Sequence, residues 1–309
     1  MNLSHFPGSL QDTPFTFLGL PDPEGGLGEA RVCILPIPYE STTTYRGGTR
    51  SGPAAIVDAS RYVETYDEET PCDLADMPIL TLPGVSPLLG AAEAMRERIR
   101  DVAREVVSRD RLLISLGGEH AITAPLVEAH LEKFGPLTVV HLDAHADLRE
   151  SYEGSRMSHA SVIKRVAEHT DVLSVGVRSI SFEEMHWLRN QQRVRVIFAH
   201  EIRSDQSLLE RALGELRGNV YLTIDVDVLD PGVMPGVGTP EPGGLSYDQV
   251  VHVIKRLTKG CSIVGADLVE LAPVPGNVVS EFTAARIVAK IVAYTKKPAW
   301  RSVRDGKTQ

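Results

Sequence analysis

Cysteine is scarce in this chain. Cys33, Cys72 and Cys261 are the only three in 309 residues, widely separated and odd in number. That usage excludes a disulfide framework and points to reduced thiols in a cytoplasmic setting. No apolar run is long enough to span a bilayer, and the chain does not open with a basic region followed by an apolar one. Neither a membrane span nor a secretory leader is expected. A long basic block is missing too. With 32 Lys and Arg against 41 Asp and Glu, the net charge is -9, which argues against nucleic acid or an anionic membrane as partner. The mild acidic excess suits a cationic substrate without selecting one. What remains is ordinary globular composition, 42% hydrophobic and 24% charged, with ample length for a large core. One α/β domain over residues 1–309 is expected rather than two.

Residues 1–30 are rich in Pro and Gly and read as an N-terminal arm or covering segment. Apolar strands are expected at 31–37, 111–116, 137–142, 172–177, 194–198, 219–228 and 262–271. Helical patterns fall between them, at 91–108, 121–134, 162–169, 183–190, 208–216, 247–258 and 280–294. In the first, Met95, Ile99, Val102 and Val106 recur at helical spacing with Glu and Arg between them. The polar, Gly-punctuated stretch 38–52 is loop, and Pro53 suits a first helical turn. Strands alternating with helices make a parallel sheet, whose functional groups belong beyond the carboxyl ends of the strands.

Two stretches carry chemistry. Residues 137–142 form a largely apolar run, interrupted by His141, that becomes Asp143-Ala144-His145-Ala146-Asp147. In an extended backbone alternate side chains share a face, so two carboxylates and an imidazole can converge there. Leu222-Thr223-Ile224-Asp225-Val226-Asp227-Val228 likewise puts two carboxylates on one face of a strand fit for a core. Like charges so placed repel unless a cation holds them. His120 follows a Gly-Gly turn at a third strand end; alone it is as suited to capping or packing as to metal. Together His120, Asp143, His145, Asp147, Asp225 and Asp227 can bind two metals with shared carboxylates. A carboxylate-rich set with imidazoles favours Mn(II)-like ions over thiolate-bound zinc, and two such metals can acidify a shared water.

These residues carry a resemblance. Gly117-Gly118-Glu119-His120, Asp143-Ala144-His145-Ala146-Asp147, and Thr223 to Asp227 with Asp230-Pro231, Pro235-Gly236 and Gly243-Gly244 occur in the order found in the ureohydrolases, the arginase and agmatinase family. The sequence resembles that family from the Gly47–Pro53 loop to the last helix. The resemblance implies a three-layer α/β/α fold with a central, mainly parallel sheet and two Mn(II) per subunit. It implies hydrolysis of a guanidinium to urea and an amine, and a homo-oligomer, trimer or hexamer. It assigns His120 and Asp147 to one metal, His145 and Asp227 to the other, and Asp143 and Asp225 to both. Glu270 matches the carboxylate that receives the guanidinium, a planar cation suited to bidentate pairing. His159 matches a loop histidine that shuttles protons, a task suited to its ordinary pKa near 6.5. Asp147 would orient the attacking water and accept its proton, and Thr239 would support Glu270.

The substrate tail is read from the loop 148–157, which lacks Asn and carries Glu150 and Glu153. Facing the pocket, these would repel an α-carboxylate and attract an amine. Arg149 and Arg156 oppose that reading. Agmatine, giving putrescine and urea, is expected first. Ser158-His159-Ala160-Ser161 replaces the common His-Gly continuation and makes N1-aminopropylagmatine, giving spermidine and urea, the rival. Guanidinobutyrate, arginine, a formimino compound, or a metal-binding paralogue without activity are the remaining readings.

Overall fold

The computed structural model of the chain describes residues 13–88 and 92–295. Part of the expected N-terminal arm, residues 1–12, lies outside the described residues, as does Ala91, where the first long helix is expected to begin.

The strands are β1 (Val32–Ile37), β2 (Tyr66–Asp67), β3 (Cys72–Asp73), β4 (Ile79–Thr81), β5 (Leu112–Gly117), β6 (Leu137–Leu142), β7 (Asp171–Val177), β8 (Val194–Phe198), β9 (Gly218–Asp225) and β10 (Cys261–Val269). β2 and β3 form a small antiparallel pair. The other eight form one sheet in the order β4-β1-β5-β10-β9-β6-β7-β8, every neighbouring pair parallel. The helices are α1 (Gly52–Ser60), α2 (Ala92–Val107), α3 (Thr123–Phe134), α4 (Val162–Val166), α5 (Phe182–Arg189), α6 (Ala199–Ser204), α7 (Gln206–Glu215), α8 (Tyr247–Gly260) and α9 (Val279–Thr295).

The inner strands are apolar on both faces because both are covered, as a parallel sheet requires. Ile34, Ile114, Val140, Leu222 and Leu268 enter one core with residues of α1, α7, α8 and α9. Cys33, Leu35, Leu113, Val139 and Tyr221 enter the other with α2, α3 and α4. The result is the three-layer α/β/α arrangement. In α2, Met95, Ile99 and Val106 are buried, as their spacing predicts. No helix among the described residues is long and apolar enough to cross a membrane.

Two strand ends differ from expectation, and both bear on the site. The stretch expected as one strand to Val228 stops at Asp225, and Val226–Val228 form a 3-10 turn. The last strand stops at Val269, so Glu270 lies just beyond it at φ 66. The Gly-Gly turn after β5 has a local cause. A Cβ on Gly118 would sit 2.0 Å from the Tyr39 carbonyl oxygen, so only glycine lets the two segments pass this closely.

Candidate metal centre and active site

Four adjacent strands, β5, β10, β9 and β6, deliver His120, Glu270, Asp225 with Asp227, and Asp143 with His145 and Asp147 to one end of the sheet. The local turns do this differently from a simple alternation along a strand. The Asp143 carboxylate accepts the His145 backbone N–H at 2.5 Å, and Asp225 accepts that of Asp227 at 2.8 Å. Each first carboxylate thus folds the chain back over itself in an Asx turn. Asp227 in turn accepts the Ala144 N–H at 3.1 Å, tying the two turns together. Asp147 has φ 54 and Glu270 φ 66, left-handed conformations that a side chain occupies at a cost and that recur at functional sites.

The side chains converge. His120 Nδ1 lies 3.1 Å from Asp143, 3.3 Å from Asp147 and 3.5 Å from Asp225. His145 Nδ1 lies 2.9 Å from Asp227 and 3.5 Å from Asp143. Two groupings that share Asp143 can each hold an ion: His120, His141, Asp143 and Asp147, and Asp143, His145 and Asp227. His141 is the addition here. Its Nε2 lies 2.8 Å from Asp143 and its Nδ1 2.9 Å from Ser174 Oγ, so it braces the shared carboxylate.

The electrostatics ask for positive charge. Burial, then the Asp143 charge, pushes the Asp147 carboxyl up to about 6. Burial and the charges of Asp227 and Asp143 push Asp225 well above the usual carboxylate range. Burial would raise Asp143 also, but the charge of His141 and the imidazoles of His120 and His145 beside it hold it well below. Burial opposes charge on His145, yet Asp227 and Asp143 raise it to about 12. Protons are therefore drawn to the centre from every side, as cations would be. His120 Nδ1 is buried among three carboxylates without a hydrogen-bond partner. The donor set of carboxylates and imidazoles fits a divalent metal.

A cavity of about 280 Å³ opens over this cluster. His120, His145, Asp147, His159, Asp225, Asp227, Thr239 and Glu270 are all among its lining residues. Glu270 is held by the His120 backbone N–H at 2.7 Å. Its carboxyl stands well above the usual range, chiefly by burial and then by the Glu119 charge. Thr239 lines the cavity, while the hydrogen bond that holds Glu270 comes from His120. His159 sits between Thr42 and Thr44, its ring nitrogens 3.1 and 3.3 Å from their hydroxyls. Burial, and then the charges of His120 and His145, lower it to about 4, so its ordinary pKa is not the relevant one.

Glu150 and Glu153 do not face the cavity. Both are exposed, and Glu150 is engaged by Arg156 and Lys164 at 2.9 Å and by Arg165 at 3.4 Å. Three cations on the outer side draw it away from the centre. Glu153 takes φ 46 in the turn between Tyr152 and Ser155, which pair with each other. It is instead Arg149, stacked 5.3 Å from the Tyr152 ring, and Tyr152 itself that reach the rim.

Glu119 is a functional group that sequence reasoning passed over. Fully buried, its carboxylate accepts the Ser41 and Thr42 N–H groups at 2.6 Å and the Thr42 hydroxyl at 2.8 Å. It thereby pins the 41–44 loop against His159. A charged residue between a buried strand and His120 was the available signal.

A parallel sheet carries at its carboxyl end a buried acidic and imidazole cluster able to hold metal ions beside a small cavity. Residues 30–293 match the Arginase family, and the chain belongs to that family. It is 38% identical to the N(1)-aminopropylagmatine ureohydrolase of Synechocystis sp., over 94% of this chain and 97% of that protein. It is 34% identical to an agmatinase of Bacillus cereus, over 80% and 85%. Among solved structures, the agmatine ureohydrolase of Thermoplasma volcanium superposes with a TM-score of 0.81 at 30% identity, covering 90% of this chain and 94% of that one.

Proposed function

We propose that the protein is a binuclear manganese hydrolase that cleaves the guanidinium of a polyamine-type substrate to urea and an amine. The observation that carries this reading is the meeting of five candidate ligands with Glu270 in one cavity, with the sixth, Asp143, against His120 and His145. His120 and Asp147 would hold one ion, His145 and Asp227 the other, with Asp143 and Asp225 shared. Two such ions activate water at neutral pH and neutralise charge that develops on the substrate. Glu270 pairs with the planar guanidinium and fixes its carbon over the cluster. Asp147 would orient the attacking water, take its proton and give it back. His159, neutral and hydrogen-bonded to the 42–44 loop, passes a proton toward the leaving amine. The whole chain acts as one cytoplasmic ureohydrolase domain in a homo-oligomer.

The substrate we infer is N1-aminopropylagmatine, ahead of agmatine. This reverses the order expected from the loop 148–157, because Glu150 and Glu153 lie outside the cavity. The names of the relatives support it, as does the Ser158-His159-Ala160 form of the loop. Lining charge does not choose the tail, since Arg46 and Arg149 line the cavity together with its acidic groups.

The test is urea release from N1-aminopropylagmatine, agmatine, guanidinobutyrate and arginine, with chelated enzyme reloaded by measured Mn(II). Activity is expected to return with two ions per subunit. The better guanidino-amine should exceed arginine in kcat/KM by at least roughly a hundredfold, about 2.7 kcal/mol. Full activity with one ion would defeat the binuclear reading, and arginine turned over as well as the amines would defeat the substrate class.

A further inference from the structure

Behind the candidate ligands lies a buried polar row that the hydrolytic reading leaves unused. In the sheet register, Thr223 on β9 stands opposite Asp267 on β10 on one side and His141 on β6 on the other. Asp267 is fully buried near the carboxyl end of an inner strand. An aspartate there is costly unless its oxygens are satisfied. Tyr221 donates its hydroxyl to one Asp267 oxygen at 2.7 Å, and Thr223 donates to the other at 2.6 Å.

A threonine hydroxyl has a single proton. Thr223 gives it to Asp267, so its oxygen acts as an acceptor toward its remaining neighbours. His120 Nε2 lies 2.9 Å from that oxygen and must therefore be the donor. With a proton held on Nε2, Nδ1 is the nitrogen left to offer its lone pair to a metal ion. That atom faces Asp143, Asp147 and Asp225 and has no hydrogen-bond partner. A lone pair aimed at three carboxylates is repulsive unless a cation stands between them.

We propose that Asp267, acting through Thr223, is the positioning residue that fixes the tautomer and ring orientation of His120 and so tunes one of the two metal positions. The inference rests on the reading of His120 as a metal ligand. Metal-bound imidazoles are commonly oriented by a carboxylate on their other nitrogen, and loss of that partner costs ten- to a hundredfold in affinity. Here a hydroxyl is interposed. His145 differs, since its ring is partly exposed and its Nδ1 is met by Asp227 directly. The effect is thus confined to one ion.

The experiment is titration of the metal-stripped full chain with Mn(II), counting free ion, for wild type, Asp267→Asn, Thr223→Val and Thr223→Ser, with circular dichroism as the fold check. Asp267→Asn and Thr223→Val should each weaken one of the two ions ten- to a hundredfold and leave the other within about threefold. Thr223→Ser, which keeps the hydroxyl, should bind as wild type does. If Asp267→Asn does not fold, the near-isosteric Thr223→Val carries the test alone. Wild-type affinity for both ions in the folded variants overturns the inference and leaves the hydrolase reading standing. Equal weakening of both ions overturns it as well. A wild-type chain that binds no Mn(II) overturns the ligand reading and this inference together.

Discussion

Among the described residues, two acidic clusters are resolved in opposite ways, one partly exposed around the buried Asp67 and the other buried throughout. Asp67, Glu68 and Glu69 surround Lys290, whose Nζ lies 2.8 Å from the first and 3.3 Å from each of the others. Lys255 and Arg286 add further pairs to Glu69 and Glu68. Asp143, Asp147, Asp225 and Asp227 have no such escort. Among the described residues, only imidazole nitrogens lie within ion-pair distance of them. A cluster that carries its own lysine is complete when the chain folds. One that leaves positive charge to titratable rings is complete only when something else binds. Acidic crowding is therefore not the signature of a site; acidic crowding without a local cation is.

The comparison breaks most visibly in turnover. Asp147→Asn keeps the size of the side chain but removes the proton acceptor. Turnover should fall by about a thousandfold or more, with the fold intact by circular dichroism. Near-normal urea release from this variant would remove Asp147 from the chemistry. His159→Ala should cost less, because water or buffer can replace a proton carrier at a cavity mouth; a loss as large as that of Asp147→Asn would show that its role is more than a relay.

At the other cluster the expected change is in stability instead. Lys290 is 2% exposed and Asp67 5%, so Lys290→Ala strands a buried carboxylate. The cost should be roughly 3–5 kcal/mol in denaturant unfolding, with Mn(II) affinity unchanged. A cost under about 1 kcal/mol would mean that the pair is replaced by solvent, and the contrast between the clusters would fail.

His130 sharpens the point from the basic side. It is fully buried in α3, where the Leu126 carbonyl at 2.7 Å is its only hydrogen-bond partner among the described residues, and burial lowers its pKa to about 4. The unfolded chain takes up a proton near pH 6.5 while the folded chain does not. Stability is therefore fully present above about 6.5 and lost as pH falls toward 4. The loss from this group is on the order of 3 kcal/mol. His130→Gln cannot titrate and should show a correspondingly shallower decline in unfolding free energy between pH 7 and pH 4. Parallel curves for the two proteins would refute the assignment.

Much of the architecture was legible because its signals are local. Apolar runs flanked by glycines mark the inner strands, and Met95, Ile99 and Val106 announce α2 by spacing alone. The hairpin of β2 and β3 and the edge strand β4 were not, since two or three residues are too few for any period to register. The centre was legible for the opposite reason: Asp143, His145, Asp147, Asp225 and Asp227 are polar where the pattern demands apolar. Their mode of convergence was not, because strict alternation implies extended strand where Asx turns at Asp143 and Asp225 and left-handed backbone at Asp147 and Glu270 set the side-chain directions. Glu150 and Glu153 misled because composition does not say which way a loop side chain points. Arg156, Lys164 and Arg165, the cations that turn Glu150 outward, lie up to fifteen residues along the chain. Asp267 and Thr223 were visible as polar interruptions of buried strands, but their partnership exists only in the register of β9 against β10.

That register has a bearing on how the protein is made. The order β5-β10-β9-β6 places the last strand of the sheet between one formed early and one formed late. At synthesis rates of 5–20 residues per second, roughly 7 to 30 s separate the appearance of Gly117 from that of Cys261. β5 has an unsatisfied inner edge throughout that interval, and β9 has one from its own synthesis until β10 arrives, the kind of edge that recruits strands from other chains. The growing polypeptide must hold a slot open at its centre. A ribosome that stops between residues 225 and 261 releases a product with two sticky edges and no Glu270, prone to aggregate before it could be merely inactive.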